Sequence, residues 1–326
     1  MIIDDHHRIH NYLRISLTDA CNFRCFYCMP NEEVEVTPYS KLMSKNEIVS
    51  LAKTFVKLGV NKIRLTGGEP LIRKDVAEII EEISLLNVTL TMTTNGVLIH
   101  KYIDVLKKAN IQSINVSLDT LNAEKFLLLT KRNQFEQVKN NIELLLQNNF
   151  SVKVNVVAMK GINDDEINSF VVWTKDQPIH VRFIEFMPFT ANQWHHEKVI
   201  SYKEILNIIS KEFDFIKLVD DKNDTTKKYK VIGHKGTFAI ISTMTAPFCS
   251  TCNRIRLTAD GKLKNCLFSK TETDLLFALR NNENIEALIH GNFLNKEKEL
   301  GGQLLSDFTK VDAIILENRS MISIGG

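Results

Sequence analysis

RISLTDACNFRCFYCMP, residues 14–30, sets Cys21, Cys25 and Cys28 within eight positions of a chain that has six cysteines. YLRISL (12–17) reads as a strand, so the three thiols fall in the loop that follows it. Such short spacers keep the sulfurs close enough to share one metal centre. A structural zinc ion wants a fourth ligand to close its tetrahedron, and His6, His7 or His10 could supply it only if the chain doubled back. A cubane 4Fe-4S cluster held by three thiolates leaves one iron without a protein ligand, open to a reacting molecule.

The strand at 12–17 is the first of a series: KIRLT (62–66), VTLTMTT (88–94), SINVSL (113–118), VKVNVVA (152–158) and HVRFIEF (180–186) follow. Between them, apolar spacing near 3.6 residues predicts helices at about 44–58, 75–86, 100–109, 134–148, 164–175 and 201–212. Ser44 and Glu47 fit a capping box. This alternation predicts an α/β protein with parallel strands, either an open doubly wound sheet or a curved, incomplete barrel. Polar motifs gather at the C-terminal strand ends: the cysteine loop, Gly67-Gly68-Glu69-Pro70, Thr94-Asn95-Gly96, Asp119 and Met187-Pro188. A βα fold binds its ligand there.

Beyond residue 214 the pattern changes. Residues 219–230 (VDDKNDTTKKYK) read as a loop or domain boundary, followed by strands at 237–243 and 254–258, a turn at Asp260-Gly261, and helices near 272–281 and 283–290. Two domains are expected, 1–215 and 216–326. PFCSTCNRIRLTADGKLKNCLF (247–268) carries a second trio, Cys249, Cys252 and Cys266. It could be a zinc ribbon completed by His290, or a second cluster with an open iron. Arg254 and Arg256 alternate on a strand and share a face, and two guanidinium forks beside such a centre suit a polyphosphate or purine.

Composition narrows the classes. Lys+Arg of 41 against Asp+Glu of 39, a formal charge of +2, argues against a nucleic-acid or anionic-membrane surface, so an anionic ligand needs local basic residues. MIIDDHHRIH lacks the basic start and apolar core of a signal peptide, and no run approaches a membrane span. A cytoplasmic protein is expected, where clustered thiols argue for metal or redox chemistry.

The first trio with Tyr27 before its last cysteine, and the Gly67-Gly68-Glu69-Pro70 turn, resemble the radical S-adenosylmethionine (SAM) superfamily. That resemblance implies an incomplete (βα)6 barrel with a smaller C-terminal domain. It implies a 4Fe-4S cluster on Cys21, Cys25 and Cys28, and SAM beside it, lined by Tyr27, Gly68, Glu69, Ser117 and Met187. LRISLTDACNFRCFYCMP, KIRLTGGEPLIRKD, TTNG, INVSLD, VKVNVV, GINDDE, RFIEFMP, the second trio and the terminal Gly325-Gly326 together resemble the GTP 3',8-cyclase family of molybdenum cofactor biosynthesis over nearly the full length. From that resemblance follow a second 4Fe-4S cluster on Cys249, Cys252 and Cys266, and GTP contacts from Arg14, Arg64, Thr93, Lys153, Arg254, Ile255 and Arg256, with Arg182 secondary. Arg254, Arg256, Gly325 and Gly326 would be catalytic. The implied reaction takes hydrogen from ribose C3' and joins C3' to guanine C8. Implied partners are an electron donor, cyclic pyranopterin monophosphate synthase as recipient of the product, and a second copy in a homodimer. Ala20, where a polar residue is common, and a shortened 31–43 segment depart from the family pattern. The rivals are a peptide-modifying radical SAM enzyme, which would often carry a larger C-terminal cysteine set, and a zinc-binding adaptor.

Overall fold

The structure is a computed structural model, and it describes residues 1–326 apart from 30–35, 191, 305–306, 314 and 326. Part of the shortened 31–43 segment and the terminal Gly326 thus lie outside the described residues. Strands β1 (Tyr12–Ser16), β2 (Lys62–Thr66), β3 (Thr89–Thr94), β4 (Ser113–Ser117), β5 (Ser151–Ala158) and β6 (His180–Glu185) are connected through helices α1 (Lys45–Lys57), α2 (Val76–Ser84), α3 (Ile103–Lys108), α4 (Ala123–Thr130), α5 (Phe135–Gln147) and α6 (Ile167–Trp173). The six strands pair in sequence order and all run parallel. Ser44 caps α1 reciprocally with Glu47, as the sequence predicts. Helix α4 was not foreseen: Leu127 and Leu128 are exposed, which blurs its apolar stripe, and Asn122 starts it by accepting from the Lys125 amide.

After α7 (Tyr202–Ser210) come β7 (Phe215–Lys217), β8 (Lys227–Val231), β9 (Thr237–Ile241), β10 (Arg254–Leu257), β11 (Lys262–Lys264) and β12 (Thr273–Asp274), then α8 (Leu275–Arg280), α9 (Ile285–Leu294) and α10 (Met321–Ile324). The polar stretch 219–230 is therefore only partly a loop. Strand β8 begins inside it because Tyr229 and Val231 are buried while Lys230 between them stays half-exposed on the other face. These later strands extend the same sheet at both edges, in the order β12-β11-β10-β1-β2-β3-β4-β5-β6-β9-β8-β7. β10 lies parallel to β1 and β9 parallel to β6.

Strand parity separates two faces of this partial barrel. Leu13, Ile15, Ile63, Leu65, Leu90, Met92, Ile114, Val116, Val152, Val154, Val181 and Phe183 are buried in one apolar core with residues such as Ile48, Phe55, Ile80 and Ile142 of the helices. Each fully buried side chain of this size contributes roughly 1.5–3 kcal/mol. The alternate positions point inward and are mostly polar, Val157 and Ile184 being apolar ones that line the cavity. In register across β10, β1 and β2 stand Arg254, Tyr12 and Lys62, and one step further Arg256, Arg14 and Arg64. Across β3, β4 and β5 stand Thr93, Asn115 and Lys153. Across β4, β5 and β6 stand Ser117, Asn155 and Arg182.

Candidate functional site

At the C-terminal strand ends lies a cavity of about 220 Å³ lined by Cys21, Cys25, Cys28, Tyr27, Gly68, Thr93, Ser117 and Met187, among others. Two features position the cysteine loop. The Gly68 amide donates to the Thr18 carbonyl (2.6 Å) and the Glu69 amide to the Ala20 carbonyl (2.9 Å), which ties the turn after β2 to the chain entering the loop. A Cβ on Gly68 would stand 2.3 Å from the Ala20 carbonyl oxygen, so the glycine serves this backbone contact as well as the cavity it lines. Glu69 is fully buried, and its carboxylate accepts from Leu71 N (3.0 Å), Thr94 Oγ1 (2.8 Å) and Asn95 N (2.6 Å). Burial outweighs those bonds and raises it to about 7. The carboxylate thus joins the turns after β2 and β3, and Glu69 is not among the residues that line the cavity.

Tyr27 donates its hydroxyl to Asp119, whose other oxygen accepts from the Val157 amide (2.8 Å). Burial lifts Asp119 to about 6. Phe186, Phe189, Met321 and Ile322 give the cavity an apolar side that excludes water. Burial also pushes the Cys21 thiol up to about 11, with Glu69 adding to it, and Cys28 to about 12, with Cys21 and Asp119 adding to it. Burial raises Cys25 too, and Asp119, Cys28 and Cys21 add to it; buried thiols crowded by negative neighbours favour a cationic centre to neutralise them. Each iron of a cubane takes its own thiolate, so three thiols lining one cavity fit a 4Fe-4S cluster. In the second trio burial raises the Cys249 thiol, and Cys266 and Cys252 beside it add to this. Burial works against ionising Cys252, but Arg254 and Lys296 overcome it and lower the thiol to about 6. All three of these cysteines are free thiols. Among the described residues no group of three or more His, Cys, Asp or Glu forms a site for a single metal ion.

The inner face next to these trios is cationic. Arg14, Arg64, Lys153, Arg182, Arg254 and Arg256 all reach it, as parity requires. Burial, then the surrounding cations, depress Arg14 to about 10, Arg182 to about 9 and Lys153 to about 8, and hold Arg256 well below the usual range. Buried Nε of Arg14 and Nε and Nη2 of Arg182 have no hydrogen-bond partner among the described residues. Arg64 is better satisfied, through the Tyr12 hydroxyl, the Met92 carbonyl and Thr93 Oγ1. Ile255 belongs to the opposite, apolar face and is fully buried in the core, so only its backbone can meet a ligand.

The C-terminal tail enters the same space. Arg256 Nη1 donates to the Gly325 carbonyl (2.9 Å). Gly325 has φ +84°, and a Cβ there would stand 2.7 Å from Thr66 Oγ1 and 2.8 Å from Ser16 Cβ.

Residues 15–173 match the model of the Radical SAM superfamily and 179–301 that of Molybdenum Cofactor Synthesis C. The chain is 46% identical to "GTP 3',8-cyclase, mitochondrial" of Arabidopsis thaliana, over 100% of this chain and 84% of that protein. It is 39% identical to "GTP 3',8-cyclase" of Alkaliphilus oremlandii, over 97% of each. The chain belongs to the GTP 3',8-cyclase family. It spans less of some relatives in this family: 44% of human "Molybdenum cofactor biosynthesis protein 1", with 44% identity over 86% of this chain. The crystal structure of Streptococcus suis SuiB, at 16% identity and a TM-score of 0.62, covers 91% of this chain and 68% of that one, and shares the fold.

In this cyclase-family chain several residues at the site lie within the quoted stretches without having been singled out as site residues. Tyr12, Asn115 and Asn155 sit on the inner face, and the even spacing of polar residues along each strand was the signal that could have found them. Asn95 was visible within a strand-end motif, but not its side-chain bond to Asn22 of the cysteine loop (2.6 Å). Arg8 carried no signal. It is held by Asp4 (2.6 Å) and donates to the carbonyls of Cys249 (2.9 Å), Glu297 (2.9 Å) and Lys298 (2.6 Å), pinning the second trio to the N-terminus.

Proposed function

We propose that this chain catalyses the radical SAM-dependent cyclisation of GTP to (8S)-3',8-cyclo-7,8-dihydroguanosine 5'-triphosphate, an early step of molybdenum cofactor biosynthesis. The observation that carries the proposal is the inner face, where the buried Nε of Arg14 and the buried Nε and Nη2 of Arg182 lack hydrogen-bond partners and neighbouring cations repel one another. Unpaired buried cations are costly, and a triphosphate satisfies them. Family membership joins that anion site to SAM chemistry.

Cys21, Cys25 and Cys28 would hold one 4Fe-4S cluster, and Cys249, Cys252 and Cys266 a second. When bound there, the first cluster and SAM would supply the one-electron reductive cleavage of SAM that starts hydrogen abstraction. For SAM, Gly68, Ser117 and Met187 provide cavity wall, Tyr27 is fixed by Asp119, and Glu69 acts from behind by holding the turn. For GTP, Arg14, Arg64, Lys153 and Arg182 bind the phosphates from the strands, with the Thr93 hydroxyl beside Arg64. Arg254 and Arg256 reach the substrate from β10, where Ile255 contributes backbone alone. The apolar side of the cavity keeps water from the reacting carbon atoms. Gly325 brings a carbonyl to Arg256, and Gly326 is proposed to act with it. Residues 1–215 form the SAM-binding part, and 216–326 supply the second trio, the two arginines and the tail. An electron donor, cyclic pyranopterin monophosphate synthase and a second copy of the chain are proposed partners. Six free thiols in two groups suit a reducing compartment such as the cytoplasm.

The test is anaerobic reconstitution with iron and sulfide, then SAM, reductant and GTP, with 5'-deoxyadenosine and cyclised nucleotide measured together. Replacing Cys249, Cys252 and Cys266 by Ala should leave much of the uncoupled 5'-deoxyadenosine and abolish the cyclised nucleotide. Parallel loss of both products would overturn this division of labour, and absence of cyclised nucleotide from the reconstituted parent chain would overturn the activity.

A further inference from the structure

We infer that Arg319 is the positioning residue that seats the C-terminal tail in the active-site lumen. The inference rests on the cyclase reading of that lumen. Chain ends fray unless something ties them down, and an arginine pair holds this one on each side of α10, while Asn318 just before it bonds the Leu267 carbonyl and accepts from Thr190. Inside, the Gly325 carbonyl accepts from Arg256. Outside, Arg319 forms two parallel bonds to Asp260, Nη1 to Oδ1 (2.9 Å) and Nη2 to Oδ2 (3.0 Å), and a further ion pair with Glu272 (2.7 Å).

The carboxylates that receive Arg319 are themselves braced. Asp260 also accepts from Thr258 Oγ1 (2.6 Å). Glu272 pairs with the buried Lys264 (3.3 Å), which donates to the Ser269 carbonyl (2.6 Å). Asp260 closes the turn between β10 and β11. The anchor is therefore the hairpin that carries Arg254 and Arg256 and leads into Cys266. Between the two attachments, α10 buries Ile322 and Ile324, and Met321 and Ile322 form part of the cavity wall. One rigid hairpin thus fixes both ends of the segment. A bidentate guanidinium pair sets orientation as well as attraction, so its loss lets Gly325 drift from Arg256 while both cysteine trios remain untouched.

The experiment compares wild type, Arg319→Ala, Arg319→Lys and Asp260→Asn as reconstituted holoproteins. It measures hydrogen exchange over residues 315–326, iron content, 5'-deoxyadenosine and cyclised nucleotide. Arg319→Ala and Asp260→Asn should each lower protection of the tail amides at least tenfold. With iron unchanged, cyclised nucleotide per 5'-deoxyadenosine should also fall at least tenfold. Arg319→Lys should recover part of both, since it keeps the charge and loses the fork. Tail exchange in both Arg319→Ala and Asp260→Asn indistinguishable from wild type would overturn the inference, as would a loosened tail with full product yield. A loosened tail in the variants alongside a wild type that makes no cyclised nucleotide would uphold the seating and refute the cyclase reading instead.

Discussion

Replacing Arg182 by Met should stabilise the ligand-free chain and weaken its hold on GTP. Arg182 projects inward from β6 with Nε and Nη2 unpartnered, and burial followed by repulsion from Arg64 lowers it from the usual guanidinium range to about 9. At 1.36 kcal/mol per unit, the shift corresponds to about 5 kcal/mol for keeping the charge at neutral pH. The side chain is only partly buried, so solvent screening reduces the cost to about 1–2 kcal/mol. Met preserves the apolar stem and removes the charge. For a chain of this length the gain corresponds to roughly 2–4 °C in the melting temperature. Truncating one partner of a desolvated charge pair costs roughly 2–5 kcal/mol, so GTP affinity should fall about 30-fold or more at 1.4 kcal/mol per tenfold. Thermal denaturation without GTP and anaerobic calorimetry with it provide the two numbers. A lower melting temperature combined with unchanged GTP affinity would refute the reasoning, because Arg182 would then be a structural residue.

Gly325→Ala should reduce cyclised nucleotide roughly 5- to 100-fold with iron content unchanged, since a side chain at φ +84° meeting Thr66 and Ser16 costs about 1–3 kcal/mol; full turnover would show that the tail need not sit where it does. Lys153 is depressed to about 8 by burial, then by Arg182, Arg64 and Lys62, so the free protein loses this ammonium as pH rises through 8. GTP affinity should hold steady below that pH and fall by up to about tenfold per unit above it; Lys153→Met should weaken binding and flatten the profile, and calorimetry at pH 7–9 that finds no such slope in the parent chain would rule this out. Arg8→Ala leaves Asp4 buried without its cation and removes the donors to three carbonyls, which should cost about 3–5 kcal/mol; an unchanged melting temperature would show that the N-terminal segment does not brace the second trio.

The sequence by itself determined the alternation of strands and helices, because strand period and helix period are local properties of consecutive residues. It also determined which chemistry was available. Two cysteine trios, a glycine turn and paired arginines are legible as text, since their meaning lies in residue type and short spacing. Strand parity even separated an apolar from a polar face, and Arg254 and Arg256 share the polar one as their spacing required.

Tertiary structure decided which of these groups meet. The placement of β10 beside β1 sets Arg256 next to Arg14 in register, although the two are far apart in sequence. No local pattern encodes that pairing, because register across distant strands is fixed by packing of the whole sheet. The same holds for Gly68, whose missing Cβ makes room for the Ala20 carbonyl, and for Glu69, which the fold turns into a buried tie between two strand ends. Parity sends the Ile255 side chain to the core while its flanking arginines face inward, so any contact of Ile255 with GTP falls to its backbone. The inward course of the tail depends on Asp260 and Arg256 both lying along one hairpin, a juxtaposition that exists only once the last strands have joined the edge of the sheet.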